Sequence, residues 1–293
     1  MKVNQKGGEN MLRRMLCLFV CFVASSGMFF PRTSSAQEGL PDYLKDRGEG
    51  LATSSFGTYI RKGEVIVYPF YEYYHDKDAE YNPSDFGYVG EEDFRGKYRA
   101  HEGLIFLGFG LADGLALEIE AAVIDATQYK AGNDRSNMPA KVSESGLGDV
   151  ESQLRWRWSK ETSSRPEWFS YFETVFPLQK DKKLIGTQDW EFKLGTGVIK
   201  GFRWGTMTVR AAVDYTREED KAELGEYAVE YLNRVSNRLR LFAGVEGSQD
   251  EVELITEAQV FLTPRTILKL NNAFGVTSKA TDYAPEVGIM FFF

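Results

Sequence analysis

Cysteine is almost missing from this chain of 293 residues: there are two, Cys17 and Cys21, and both fall within the first 36 positions. A protein that loses that stretch has no thiol, so neither a disulfide framework nor a thiolate metal site is open to it. Histidine is as scarce, with His75 and His101 only, which leaves little for general-base chemistry or a transition-metal centre. A long apolar run is lacking too. Met15 to Ala24 is apolar without interruption, short of the ~20 residues of a spanning helix, and Ser25, Ser26, Gly27 and Pro31 keep the run from extending. Helical periodicity is hard to find beyond the first residues after this segment.

What is present at the N-terminus is an export pattern. Arg13 and Arg14 precede the apolar stretch, and Ser34-Ser35-Ala36 supplies small residues before Gln37, so residues 1–36 read as a signal peptide cleaved after Ala36. Translation starts at Met1 or at Met11, because Met11-Leu12-Arg13-Arg14 opens a signal of ordinary proportions. Val20, just before Cys21, is too bulky for a lipoprotein signal. Of the 35 basic and 43 acidic residues, cleavage removes Lys2, Lys6, Arg13, Arg14, Arg32 and Glu9. The 30 bases and 42 acids that remain give a net charge of −12, which argues against a nucleic-acid partner.

Alternation at period two recurs from Val65 to the end. On 252–262, Val252, Leu254, Thr256, Ala258, Val260 and Leu262 share one face while Glu253, Glu257 and Gln259 share the other, with Ile255 and Phe261 as exceptions on the polar face. Leu115, Leu117, Ile119, Ala121 and Val123 likewise oppose Glu118 and Glu120, and Val150, Leu154, Trp156 and Trp158 oppose Glu151, Gln153, Arg155 and Arg157. A soluble β-sandwich also alternates. The export signal, the cysteine-free mature chain and the closing strand Glu286–Phe293, with Phe293 last as an assembly signal, favour an outer-membrane barrel.

Strands in hydrocarbon must close on themselves, since each unpaired backbone group costs several kcal/mol there. The predicted fold is therefore all-β, a transmembrane antiparallel up-and-down barrel over 63–293. Its strands lie near 63–74, 96–109, 115–127, 145–159, 167–178, 187–200, 205–216, 223–235, 238–248, 252–263, 265–275 and 284–293, twelve in all. The short turns should be periplasmic and the long loops, above all 75–95 and 128–144, extracellular. Trp156, Trp158, Trp168, Trp204, Tyr71 and Tyr73 fall near strand ends, where aromatic girdles sit. Residues 37–62 form a periplasmic segment, either a short helix that enters the lumen as a plug or a loose tail.

Two segments have a more particular look. Phe109-Gly110-Leu111-Ala112-Asp113-Gly114-Leu115-Ala116-Leu117-Glu118 is a hairpin around a tight turn, and Ser145-Gly146-Leu147-Gly148-Asp149-Val150 opens a strand. In the first, Asp113 can bond its own backbone and Gly114 can take positive φ; in the second, Gly146 and Gly148 permit a bulge beside Asp149. Neither is a phosphate cradle, as no helix pattern comes after it. With the closing strand, these segments resemble the outer-membrane proteins grouped as the "MetA-pathway of phenol degradation" family. The resemblance implies a barrel for uptake of aromatic or other hydrophobic compounds.

With the oily face outward, the lumen receives Glu118, Glu120, Glu151, Arg155, Arg157, Glu173, Glu191, Lys193, Arg210, Asp214, Glu226, Glu230, Arg240, Glu246, Glu253 and Glu257. Acids prevail, so this wall either prefers cations or neutral polar solutes or pairs its charges and fills the interior. The Glu/Arg mixture on 145–159 is the local candidate for a constriction. The expected function is passive passage of small hydrophobic or aromatic molecules through the Gram-negative outer membrane. A narrow general pore for hydrophilic or cationic solutes is the alternative, and a hydrolase at the His75/His101 rim a third reading. No cofactor or metal is called for, although the acidic loop 75–95 could hold a divalent cation loosely. The expected partners are outer-membrane lipid and lipopolysaccharide, the barrel-assembly machinery and the solute itself. N-terminal sequencing of the membrane-inserted protein is expected to begin at Gln37; a first residue at or before Ala36 would overturn the signal assignment.

Overall fold

The structure is a computed structural model that describes residues 40–187, 189–217, 221–249 and 251–293. The expected signal peptide and its cleavage site lie outside the described residues. A short two-stranded hairpin comes first, β1 (Leu51–Ala52) and β2 (Tyr59–Ile60), after one 3-10 turn, Asp42–Leu44. Twelve long strands come next among the described residues: β3 (Val65–Tyr81), β4 (Phe94–Ala112), β5 (Leu115–Tyr129), β6 (Lys141–Ser159), β7 (Glu167–Phe176), β8 (Glu191–Phe202), β9 (Gly205–Thr216), β10 (Lys221–Ser236), β11 (Leu239–Ser248), β12 (Glu251–Thr263), β13 (Thr266–Gly275) and β14 (Tyr283–Phe292). Each pairs antiparallel with its neighbours in sequence, and β14 returns to β3 to close the barrel. Phe293 completes the seam through its backbone, which exchanges bonds of 2.9 and 3.1 Å with Val65.

The two faces of the wall differ in chemistry as the alternation dictates. Leu154, Leu194, Val209, Val213, Val229, Leu241, Val245, Leu254, Leu270, Val287 and Ile289 all stand exposed on the outside. The residues between them, among them Glu118, Arg155, Arg240, Glu257, Gln259 and Lys269, are buried. A cylinder with its aliphatic side chains outside and its charges inside suits hydrocarbon as its surroundings. Trp158, Trp168 and Trp204 project at the short-turn end, with Phe202 stacked on Trp204 at 4.8 Å, as a girdle would.

Strand number agrees with the sequence reading, but several strand ends do not. β3 continues to Tyr81 rather than ending near 74, and β6 begins at Lys141 rather than 145, so the loops expected over 75–95 and 128–144 shrink to 82–93 and 130–140. Polar composition suggested open loop. Instead the hairpins stay paired above the apolar band because their tips bury Tyr81, Ala131 and Met138 against Phe86, Tyr88, Phe94 and Val142. At the other end, Pro41 and the glycines Gly48 and Gly50, both at positive φ, keep the N-terminal segment from extending as a helix.

That segment enters the barrel past a point of close approach. Gly63 donates to the Gly110 carbonyl at 2.7 Å and Gly110 donates back to Glu64 at 3.0 Å, and a Cβ on Gly110 would collide with the Arg61 carbonyl. Substitution Gly110→Val is therefore expected to displace the strap and lower stability by about 1–3 kcal/mol, the usual range for an overpacked site. Urea unfolding of the refolded barrel, followed by the loss of fast gel migration without boiling, measures it; an unchanged midpoint would contradict the contact.

Candidate functional site

The lumen is built in three tiers. At the short-turn end, residues 43–60 occupy it and are tied to the wall by charge. Arg47 donates from Nη2 to Glu161 at 3.1 Å and to Glu167 at 3.0 Å, with all three side chains almost fully buried, and its guanidinium lies over the Tyr59 ring. Arg157 bonds the Gly50 carbonyl at 2.8 Å and Glu167 at 3.3 Å. Asp46 accepts from the Arg234 amide at 2.8 Å. Glu118 takes both the amide and the hydroxyl of Ser54 at 2.9 and 2.6 Å. Lys269 reaches Ser55 Oγ at 2.6 Å and Glu257 at 3.0 Å, and Gln259 holds the Phe56 carbonyl at 3.0 Å.

Between these anchors the hairpin buries Leu51, Ala52, Tyr59 and Ile60 in a cluster with Ile66, Tyr68, Phe106, Phe169, Tyr171, Phe242, Ile255, Ile267 and Met290 from the inner wall. Ile255 and Phe261, the exceptions to alternation on β12, thus face this plug, with Phe261 packed against the cluster and beneath the Arg234 and Arg240 guanidinium groups. Twelve strands enclose more room than wall side chains alone can fill, and here the chain's own N-terminal segment fills it.

Above the plug lies a cavity of about 330 Å³ lined by nine glutamates and two lysines, together with Phe56, Tyr68, Phe70, Tyr74 and Phe106. The register sets carboxylates directly opposite one another: Glu72 faces both Glu102 and Glu286, Glu120 faces Glu151, and Glu246 faces Glu253. Like charges in opposed positions repel. On the β7–β11 side cations offset them. Lys193 lies 3.1 Å from Glu173 and 3.4 Å from Glu226, and Arg210 bonds Glu230 at 2.8 Å and Glu246 at 2.7 Å besides pairing with Glu226. On the β4–β6 side, Glu102, Glu120 and Glu151 have no basic partner within ion-pair distance among the described residues. The result is a lopsided belt, partly neutralised on one wall and without cations on the other. A second space of about 190 Å³, bounded by Glu191, Asp214, Tyr215 and Gln249, shares Glu173 and Lys193 with the first and extends it toward the long-loop end.

The third tier is a cap. Residues 177–187 of the β7–β8 loop fold inward and bury Ile185 against Ala100, Ala126, Ile124, Tyr74 and Tyr98. Asp149 holds the loop: its Oδ1 accepts from the amides of Leu178 and Gln179 at 2.7 and 3.2 Å, and its Oδ2 from Thr187 at 2.5 Å (amide) and 2.8 Å (hydroxyl). Gly146, at φ +150°, and Gly148 sit where the β5–β6 register shifts, under this loop. The sequence offered the motif but not this use of it, because the loop residues it binds lie about 30–40 positions away.

Other residues singled out from the sequence separate by tier. Glu118, Arg155, Arg157, Arg240 and Glu257 stand at plug level, while Glu120, Glu151, Glu173, Lys193, Arg210, Glu226, Glu230, Glu246 and Glu253 line or border the cavity, and Glu191 and Asp214 its upper extension. Asp113 departs from the expected self-bonded turn. Its carboxylate accepts from Lys160 at 2.5 Å and Arg157 at 2.8 Å, and the Lys160 bond, with help from both positive charges, holds it below the ordinary carboxylate range. Gly114 takes the positive φ that the turn needs. His75 and His101 are on the outward wall, where His101 Nδ1 meets the Tyr71 hydroxyl at 2.6 Å. Among the described residues no group of three His, Cys, Asp or Glu could hold a metal ion.

No protein-family model matches the sequence, and a search of curated proteins finds no match. Among solved structures, the COG4313 outer membrane channel from Pseudomonas putida F1 superposes with a TM-score of 0.58 at 12% identity, covering 83% of this chain and 100% of that one. The translocator domain of the autotransporter NalP from Neisseria meningitidis gives 0.50 at 10% identity, covering 79% and 89%. The fold is that of outer-membrane barrels. At such identities the likeness speaks for architecture alone.

Removing Arg47 would take from the buried Glu161 and Glu167 the guanidinium they share and leave them Lys200 at 3.0 Å and Arg157 at 3.3 Å, so the cost should fall below the about 3–5 kcal/mol of a fully broken buried pair. Arg47→Ala is accordingly expected to free the N-terminal segment for proteolysis while leaving the barrel heat-modifiable. Limited trypsinolysis and intact mass check this; full protection of residues 40–62 in the variant would show that the ion pairs do not hold the plug.

Proposed function

We propose that the chain is an outer-membrane channel for passive passage of small solutes, with a preference for cations. The observation that carries this reading is the acid belt around an internal cavity in a closed barrel. Carboxylates opposed in pairs and only partly neutralised make a local negative potential, and in a low-dielectric enclosure such a potential favours a positive guest. The cavity extends toward the long-loop end and is closed beneath by the plug, so passage requires the plug to shift or a narrow path beside it. Export through a signal peptide, assembly through the terminal Phe293 strand, and surroundings of lipid and lipopolysaccharide complete the proposal.

A second reading keeps the hydrophobic or aromatic cargo that the family resemblance implies. It has one specific observation behind it: Tyr68, Phe70, Tyr74 and Phe106 share the cavity wall with the glutamates. Rim hydrolysis gains nothing from the geometry. His75 packs among Tyr73 and Tyr283 rings, His101 bonds Tyr71, and among the described residues no serine hydroxyl is bonded to either.

Planar-bilayer recordings separate the two transport readings. The first expects a steady, cation-selective current, with the cation-to-anion permeability ratio falling several-fold in Glu120→Gln/Glu151→Gln and the conductance rising when residues 40–62 are deleted. Anion preference, or no change in the double variant, would overturn it. Electrical silence combined with uptake of an aromatic solute into proteoliposomes would favour the second.

A further inference from the structure

The outward face of β4 changes character at one level. Phe109, Leu107 and Ile105 are apolar, Gly103 ends the run, and His101, Arg99 and Lys97 continue the same face upward. Ala100 and Tyr98, between them, pack inward around Ile185, which fixes the other residues outside. The neighbouring strands agree: the outward apolar series of β5 stops at Val123, and Asp125 lies opposite His101. On β3, Tyr71 and Tyr73 stand just below, ring against ring with His101. The cations therefore begin where the hydrocarbon-facing band ends, at the long-loop side.

No carboxylate lies within ion-pair distance of Lys97 or Arg99 among the described residues. Of the nearby acids, Asp282 is engaged by Lys77 at 3.6 Å, and Asp78 and Glu80 by Arg95 at 3.4 and 3.6 Å, while Asp125, opposite His101 and diagonal to Arg99, makes no ion pair with either cation. Arg99 stands between His75 on β3 and Thr127 on β5, neither of them an acid. Arg99 Nε is buried without a hydrogen-bond partner, and Lys97 Nζ rests over the Tyr129 ring at 5.8 Å. Two half-buried cations on one strand face, two residues and therefore ~7 Å apart, match the oxygens of a phosphate group at the membrane boundary.

We propose that Lys97 and Arg99 form a binding site on the outer wall for a phosphate of a phosphorylated glycolipid of the outer leaflet. Tyr71 and Tyr73 sit beneath the headgroup, and the acyl chains lie along the apolar band of β3–β5. The site rests on the outer-membrane placement argued above, yet it is tested apart from conduction, since currents are recorded in bilayers free of that glycolipid.

The experiment is native mass spectrometry of the refolded full-length mature chain in detergent, titrated with bis-phosphorylated lipid A and with its dephosphorylated counterpart. Wild type is expected to bind the phosphorylated lipid about tenfold more tightly than the other, and Lys97→Ala/Arg99→Ala to lose that margin. Lys97→Arg/Arg99→Lys should keep most of it. Heat-modifiable migration verifies each barrel. Should the double alanine variant not refold, Lys97→Ala alone is expected to lose about threefold. Equal affinity of wild type for the two lipids, or undiminished preference in the alanine variants, would overturn the site whatever the channel recordings show.

Discussion

Backbone hydrogen bonding in a solvent that offers none is the constraint on which the rest of this molecule depends. A strand edge in hydrocarbon leaves unpaired donors and acceptors at several kcal/mol each, so β14 must find β3, and Phe293 spends its own amide and carbonyl on Val65 to finish the ring. Once the wall is closed, side-chain alternation has only two destinations. Whatever is aliphatic goes to lipid, and charge is forced onto a central axis where it must pair, bind water or meet a guest.

The plug is a consequence of that geometry. A twelve-stranded ring encloses more room than the eight strands whose side chains just fill the interior, and less than a sixteen-stranded porin. The short-turn half answers with an inner face that is partly apolar: Ile66, Phe106, Phe169, Ile199, Phe242, Ile267 and Met290 would be misplaced against water, and Leu51 and Ile60 cover them. Arg47, Ser54 and Ser55 then meet Glu167, Glu118 and Lys269 at hydrogen-bond distance. Burying these ions is unfavourable taken singly, and the network is sustainable because nearly every charge has a partner.

The same physics decides how much of this could be read from residues alone. Alternation is local, so twelve strands and the face each side chain takes were legible, as on β12 with Val252, Leu254 and Val260 outward. Height along the axis and identity of partners are not local. Nothing in the segment around Glu118 or Arg157 distinguishes a plug anchor from a pore lining, because the difference is made by Ser54 and Gly50, many positions upstream. One signal was available: Ile255 and Phe261 broke the pattern on the polar face, and apolar residues on inward positions, gathered toward the short-turn ends of several strands, mark the level at which something apolar must enter. Strand ends were misplaced where loop tips such as Tyr81 and Met138 bury a core of their own, a tertiary effect that composition conceals.

The belt above the plug is the place where the sequence does not serve stability. Opposed pairs such as Glu120 with Glu151 and Glu72 with Glu102 repel one another across the ladder, and Asn271 on β13, which lines the same cavity, shows that a polar neutral residue fits the inner wall. Repulsion between them is relieved by protonation or by a cation, and only the second is useful for selecting what enters. Because Lys193 and Arg210 partly offset the acids of the opposite wall, the belt carries a transverse field as well as a net negative potential. On the channel reading proposed above, a cation would be drawn to the β4–β6 side, away from the guanidinium and ammonium groups, and an anion approaching Lys193 would meet Glu173 and Glu226 already in place. On that reading, selection would reside in which charges are left over after pairing, and the remainder here is negative.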